Sequence, residues 1–387
     1  MKKLTKLFAL MLAVVMVTGC FASCGEEKTG STNTTFKLGG IGPLTGGAAQ
    51  YGISVKQGAE LAVKEINEAG GVNGVKFEIS FQDDEHDAQK AINAYGRLKD
   101  ENVHAIIGTV TSTPCISVVS ETAADNMFQL TPSGSAVECI SGENAFRVCF
   151  SDPNQGAASA KYIATNKLGS KIAVFYNSGD AYSQGIYKTF KAEATTQNLE
   201  IVSEQSFTDA NNTDFNTQIQ KIKESGAELV FLPIYSEQAA TFLQQANKAG
   251  LKAKYFGCDG LDGTIDKLGD DASLAEGVML LTPFAADSKD EKSQAFTAAY
   301  KAAYNDAIPD QFAADGYDAV YIIKAAMEKA NITDPSITYS DFCNKLKAVM
   351  TEITVDGVTG SMTWSKDGEP TKDPKAMVIS EGAYKAM

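Results

Sequence analysis

The chain has 387 residues, of which 44% are apolar and 21% charged, with a formal net charge of −14. That length exceeds one comfortable core and suits two lobes of about 150 residues each. The acidic balance excludes nucleic acid as a partner and excludes a basic membrane-surface patch, since both need clustered Lys and Arg.

Lys2, Lys3 and Lys6 precede a short apolar run from Leu7 to Val17, followed by Thr18-Gly19-Cys20. The run is too short to cross a bilayer, and a positive start before it reads as a secretory signal over residues 1–19. A small residue before a cysteine at this point looks like a lipobox. Cys20 is therefore the expected lipid anchor, with Cys24 as the alternative. Residues 20–35, rich in Ser, Thr and Gly, read as a flexible tether. Such a chain belongs outside the cytoplasmic membrane, tied to its outer face. An exported chain can hold disulfides, and Cys139 and Cys149, on either side of Ser141-Gly142-Glu143-Asn144, are a candidate pair.

Strands and helices then alternate. A strand is expected at Phe36–Ile41 and a helix at Val55–Glu68, whose Ala59, Ala62, Val63 and Ile66 share one face. A strand at Lys76–Gln82, a helix at Asp87–Lys99, a strand at His104–Val110, a helix from Pro114 and a short strand at Met127–Thr131 follow. The rhythm resumes with Lys171–Tyr176, Gln184–Thr195, Glu200–Phe207, Phe215–Glu224, Leu229–Pro233, Glu237–Ala249 and Lys254–Gly257. Two helices, Lys289–Tyr304 and Gln311–Lys329, come last. This alternation predicts an α/β fold with parallel sheets. The series occurs twice, over 36–150 and 170–282. Candidate crossings lie at Ser151–Gly156, Thr282–Phe284 and Asp356–Gly360. They imply two doubly wound lobes, 36–153 with 284–358 and 154–283 with 359–387. Sheets of this kind bind ligands in a cleft at the carboxyl ends of their strands.

Catalytic signatures are missing from the sequence: it has no G-x-S-x-G, H-E-x-x-H, P-loop or C-x-x-C pattern. Asp83-Asp84-Glu85-His86-Asp87 sits between a strand and a helix, where acids act as caps and dipole partners rather than as a metal site. Pro43 interrupts Gly40–Gly46, which is not a dinucleotide loop. No enzyme activity, metal or cofactor is expected.

Gly40-Ile41-Gly42-Pro43-Leu44-Thr45-Gly46, then Gln50-Tyr51-Gly52, Gly58-Ala59-Glu60-Leu61-Ala62 and Ile66-Asn67, resemble the start of the leucine/isoleucine/valine-binding proteins of ABC transporters, which are type I periplasmic binding proteins. Gly108–Ser112, Thr131–Ser135, Asp152–Gly156, Tyr182–Gly185, Tyr235, Gly257–Gly260 and Tyr317–Val320 continue the match in order over essentially the whole mature chain. The resemblance implies a monomer whose two lobes close on one small amino acid, most simply a branched-chain or aliphatic one, and whose closed form docks on a membrane permease. It places a ligand carboxylate at the helix N-terminus beginning near Ser112, where free N–H groups and the dipole favour an anion, with Ser133 and Ser135 completing the grip. It pairs Asp259 with the ligand's ammonium and makes Tyr51, Tyr182, Tyr235 and Tyr317 walls. The same fold binding an amide, urea or an aromatic acid, or acting as a ligand sensor, is the alternative. His86 and Thr111 stand where some members carry a disulfide.

Overall fold

The computed structural model describes residues 34–387. The expected signal, Cys20, Cys24 and nearly all of the tether lie outside the described residues.

Five strands, β1 (Phe36–Gly42), β2 (Phe77–Asp83), β3 (Ala105–Ile107), β4 (Phe128–Thr131) and β5 (Ala145–Arg147), form a parallel sheet in the order β2-β1-β3-β4-β5. Leu38 of β1 aligns with Ile79 on one side and Ala105 on the other. A central parallel strand is covered on both faces, and six of the seven residues of β1 are buried. Helices α1 (Ala49–Glu68), α2 (Ala88–Asp100) and α3 (Ser112–Asp125) connect the strands.

The second sheet holds β6 (Lys171–Asn177), β7 (Glu200–Phe207), β8 (Leu229–Leu232), β9 (Lys254–Gly257) and β10 (Met279–Thr282), parallel in the order β7-β6-β8-β9-β10. Two antiparallel strands, β13 (Lys375–Ser380) and β14 (Ala383–Ala386), extend its β10 edge. Helices α4 (Asp152–Thr165), α5 (Ala181–Thr196), α6 (Asn216–Glu224) and α7 (Ser236–Ala249) flank this sheet, with a short α8 (Thr264–Leu268). Each face of the sheet carries its own apolar core, around Phe175, Phe215 and Phe242 on one side and Phe190, Phe231 and Phe256 on the other.

The chain then returns to the first lobe through α9 (Glu291–Ala303), α10 (Gln311–Lys329) and α11 (Tyr339–Val349). Helix α10 lies along α1 at close range. A Cβ on Gly58 would stand 1.8 Å from the Ala313 carbonyl oxygen, and one on Gly316 would stand 2.3 Å from that of Val55.

Two expectations need correction. The last crossing does not fall at residue 359. The hairpin of β11 (Val355–Gly357) and β12 (Gly360–Met362) stays with the first lobe, because Met362 and Trp364 are buried in its core and the Trp364 indole donates to the Arg147 carbonyl at 2.8 Å. Residues 359–374 thus belong to the first lobe, and the second sheet is rejoined at β13. The Cys139–Cys149 bridge is also not formed: both thiols are free and buried. A 3-10 turn over Val137–Ile140 tucks Cys139 under α3, packed with Cys115 and Ala136, and Cys149 stands outside that cluster. Among the described residues, no helix is long and apolar enough to cross a membrane.

Candidate ligand-binding cleft

The carboxyl ends of the two sheets face one another, and the residues just beyond them line the junction. Tyr51, in the first turn of α1, crosses it. Its hydroxyl donates to the Gly260 carbonyl (2.8 Å), accepts from the Ser236 N–H (2.8 Å) and lies 2.9 Å from Ser236 Oγ. Thr113 Oγ1 reaches Asp180 of the other lobe at 3.3 Å, and Lys267 donates to the Gly47 carbonyl at 2.9 Å. The lobes therefore stand closed on one another.

One wall is aromatic. Tyr235 stacks on Tyr182 with centroids 4.8 Å apart, stands 5.4 Å from Tyr51, and receives His86 edge-on at 5.5 Å. Phe312, at the start of α10, packs edge-on against Tyr51 at 4.7 Å. Aromatic faces of this kind cover an aliphatic group while their hydroxyls bond at the rim. His86 Nδ1 and Thr111 Oγ1 are 2.9 Å apart, so a hydrogen bond joins these two positions.

The anion-attracting end is the N-terminus of α3, which begins at Ser112, two residues before Pro114. The Ser112 hydroxyl accepts from the Ser135 and Ala136 N–H groups, both at 3.2 Å. Ser133 donates its hydroxyl to the Val110 carbonyl at 2.6 Å. The Ser135 hydroxyl is buried without a hydrogen-bond partner. Sequence reasoning missed Arg147. It is fully buried and donates to the carbonyls of Gly134, Ser135 and Ala136 at 3.3, 2.5 and 3.0 Å, with Glu369 3.0 Å from its Nε. A guanidinium that gathers these carbonyls fixes the serine loop.

The cation-attracting end is Asp259. Tyr182 donates to one oxygen at 2.7 Å and the Gln155 amide to the other at 3.1 Å. Burial pushes the carboxyl up to about 6, against the pull of these donors. Gly260 is needed beside it, since a Cβ there would meet the Tyr182 hydroxyl at 2.6 Å. Two further aspartates, unforeseen from the sequence, crowd the cleft. Asp180 caps α5. Asp152 opens α4, is 1% exposed, and has no partner for either carboxylate oxygen. Burial raises both carboxyls. Buried acids without a basic partner call for a cation.

Tyr317 is the one expected wall residue that lies elsewhere. Its hydroxyl donates to Glu65 at 2.5 Å and its ring packs on Phe296 and Tyr321. It follows Phe312 by five residues on α10. At 100° per residue that puts the two about 140° apart, so only one can face the cleft.

A closed pair of doubly wound lobes with an anion-attracting helix end opposite a buried acid defines a solute-capturing protein. The chain belongs to the periplasmic binding protein family, whose model matches residues 35–383. It is 30% identical to the Leu/Ile/Val-binding protein homolog 3 of Brucella melitensis over 86% of this chain and 88% of that one. It is 29% identical to the leucine-, isoleucine-, valine-, threonine- and alanine-binding protein of Pseudomonas aeruginosa over 95% of this chain and 94% of that one. The crystal structure of the branched-chain amino acid transporter substrate-binding protein LivJ of Streptococcus pneumoniae, in complex with isoleucine, superposes with a TM-score of 0.82. That match has 25% identity and covers 91% of this chain and 99% of the other.

Proposed function

We propose that this protein captures a small amino acid, branched-chain or aliphatic, outside the cytoplasmic membrane and delivers it to an ABC importer, acting as a binding protein rather than an enzyme. The observation that carries the reading is the pairing of Asp259, gripped by Tyr182 and Gln155, with the serine-lined N-terminus of α3. A zwitterion needs one anion-attracting and one cation-attracting end, and the tyrosine wall supplies the surface for an aliphatic side chain. Closure follows because the ligand bridges both lobes only when they meet. An aromatic acid, an amide or urea lacks the α-ammonium that Asp259 would hold.

A thermal-shift screen against the twenty amino acids, amides, urea and benzoate tests this, since a ligand of the folded state raises Tm by mass action. A selective rise with leucine, isoleucine or valine is expected. A rise with benzoate or amides and none with aliphatic amino acids would discard the ligand assignment. The reading also includes a monomer held at the membrane by lipid on Cys20. Cys20→Ala should release the protein into the medium, and retention after that change would remove Cys20 as the anchor.

A further inference from the structure

Between β12 and β13, where the chain crosses to the second lobe for the last time, Thr363–Lys372 folds into a hairpin of its own. Thr371 donates its N–H to the Thr363 carbonyl at 2.8 Å, Ser365 donates to the Glu369 carbonyl at 2.9 Å, and Trp364 bridges to Pro370. This hairpin lies against the end of β5 and the first crossing. Arg147 donates its N–H to the Gly368 carbonyl at 3.2 Å, and its own carbonyl accepts from the Trp364 indole. The next carbonyl, that of Val148, accepts from the Lys372 ammonium at 2.8 Å, and the same ammonium meets Asp315 of α10 at 3.1 Å. Gly368 makes the fit possible. It adopts a φ of +79°, and a Cβ there would stand 2.3 Å from the Ala145 carbonyl oxygen.

Two ion pairs of the described residues bury a charge completely, and the hairpin supplies one side of each. Glu369 stands against the buried Arg147, and Lys372 against the buried Asp315. In every other ion pair of the described residues both side chains keep contact with solvent. Buried pairs are weak sources of stability, because taking two charges out of water offsets most of their attraction. Their place in the fold is more telling. Arg147 gathers the carbonyls of Gly134, Ser135 and Ala136, and the N–H groups of Ser135 and Ala136 close on Ser112 at the start of α3. The hairpin therefore stands one residue behind the anion-attracting end of the cleft. It holds Arg147 by backbone and side chain, and Arg147 holds the serine loop.

We propose, on the amino-acid reading of the cleft, that the Thr363–Lys372 hairpin is a positioning strap for the ligand's carboxylate, acting through Arg147 on the serine loop. Donors already fixed in place bind an anion better than a loop that must be ordered first. The strap ends three residues before β13 of the second lobe, so a rotation of the lobes acts on it directly.

Gly368→Ala tests this without altering any charge, since the new methyl group meets the Ala145 carbonyl and lifts the strap off β5. Calorimetry of the full chain compares leucine with leucinol, which keeps the ammonium and the side chain but lacks the carboxylate. Leucinol is read by its displacement of leucine. The advantage of leucine over leucinol should shrink about tenfold in Gly368→Ala, the size of one hydrogen bond to a charged group, while leucinol itself binds within about threefold of its affinity for the parent. Trp364→Phe removes the indole donor, keeps a ring in the core, and should shrink the same ratio about threefold. Circular dichroism checks that each variant is folded, and Trp364→Phe decides on the same terms if Gly368→Ala does not fold. An unchanged ratio in folded Gly368→Ala, however far its Tm falls, would show that the strap serves stability alone and would overturn the proposal. Equal losses for leucine and leucinol would overturn it too, because the damage would not be confined to the carboxylate end. A parent that binds no leucine would sink the amino-acid reading and the strap's role with it, whereas a parent that binds leucine and variants that keep the ratio would overturn the strap alone.

Discussion

Asp259 concentrates the chemistry of the cleft, and its titration gives the proposed function a pH signature. Burial holds the empty-state carboxyl up to about 6, and an ammonium ligand needs it ionised. Affinity should therefore be flat above about pH 7 and fall about tenfold per pH unit below about 6, with proton release on binding in that window. Asp259→Ala should weaken amino-acid binding by about 2–5 kcal/mol, the range for removing one partner of a buried charge pair, and flatten the profile. Calorimetry between pH 4.5 and 8 measures both. Unchanged affinity in the variant would remove Asp259 from the site. Any slope that survives belongs to Asp152 or Asp180, which burial also raises. At this scale the sequence is readable where a side chain sits at a strand end before a helix, as with Ser112, Tyr182, Tyr235 and Asp259. Asp152, Arg147 and Phe312 were out of reach for a reason of geometry. Their partners lie elsewhere in the sequence, and nothing local marks an arginine that will collect three consecutive carbonyls or a phenylalanine that will meet Tyr51.

Among the elements, the α1–α10 pair is the tightest contact and the easiest to break. Gly58 and Gly316 let two helix backbones touch, so a methyl group at Gly316 forces them apart against the Val55 carbonyl. Gly316→Ala should lower stability by about 1–3 kcal/mol, the usual cost of overpacking. Denaturant unfolding measures it, and a variant as stable as the parent would show that the helices have room. The α10 boundaries, Gln311–Lys329, are legible because Asp310 is a side-chain cap and apolar periodicity runs throughout. The start of α1 is not: the expected helix begins at Val55, six residues after the observed one at Ala49. Its first turns carry Gly52 and Ser54, poor helix formers held in place by close packing of Gly52 on the Pro43 backbone and by the Ser54–Asp310 hydrogen bond. The β11–β12 hairpin is similarly hidden, since three-residue strands carry too little pattern to reveal which core they serve.

For the whole molecule, buried aspartates set how stability depends on pH. Asp84 is pushed up to about 7, Asp259 and Asp310 to about 6, and Asp152 and Asp262 upward as well, each mainly by burial. A carboxyl whose folded pKa exceeds its unfolded one binds more protons in the folded state, so stability grows as pH falls through the folded values. The opposite group, with Asp290 near 2 and Asp83 and Asp125 also lowered, loses its contribution only below about pH 4. The ligand-free protein should therefore melt at a higher temperature at pH 5 than at pH 7.5. The reverse order would mean that these acids ionise freely in the fold. The broad architecture was legible from the repeated strand–helix rhythm. The position of the last crossing was not, because it depends on Met362 and Trp364 finding the first lobe's core across almost the full length of the chain.

That threading orders the birth of the protein. The first sheet is finished by residue 147, yet α10, which covers it beside α1, emerges only after all of the second lobe but its two edge strands has been made. A chain leaving the ribosome or a membrane pore therefore carries a completed but only partly covered sheet for about two-fifths of its synthesis. Its second lobe, by contrast, lacks only two edge strands when α9 appears. The later-made lobe can settle first, and the earlier one must wait, open to chaperones, until the last quarter of the chain arrives.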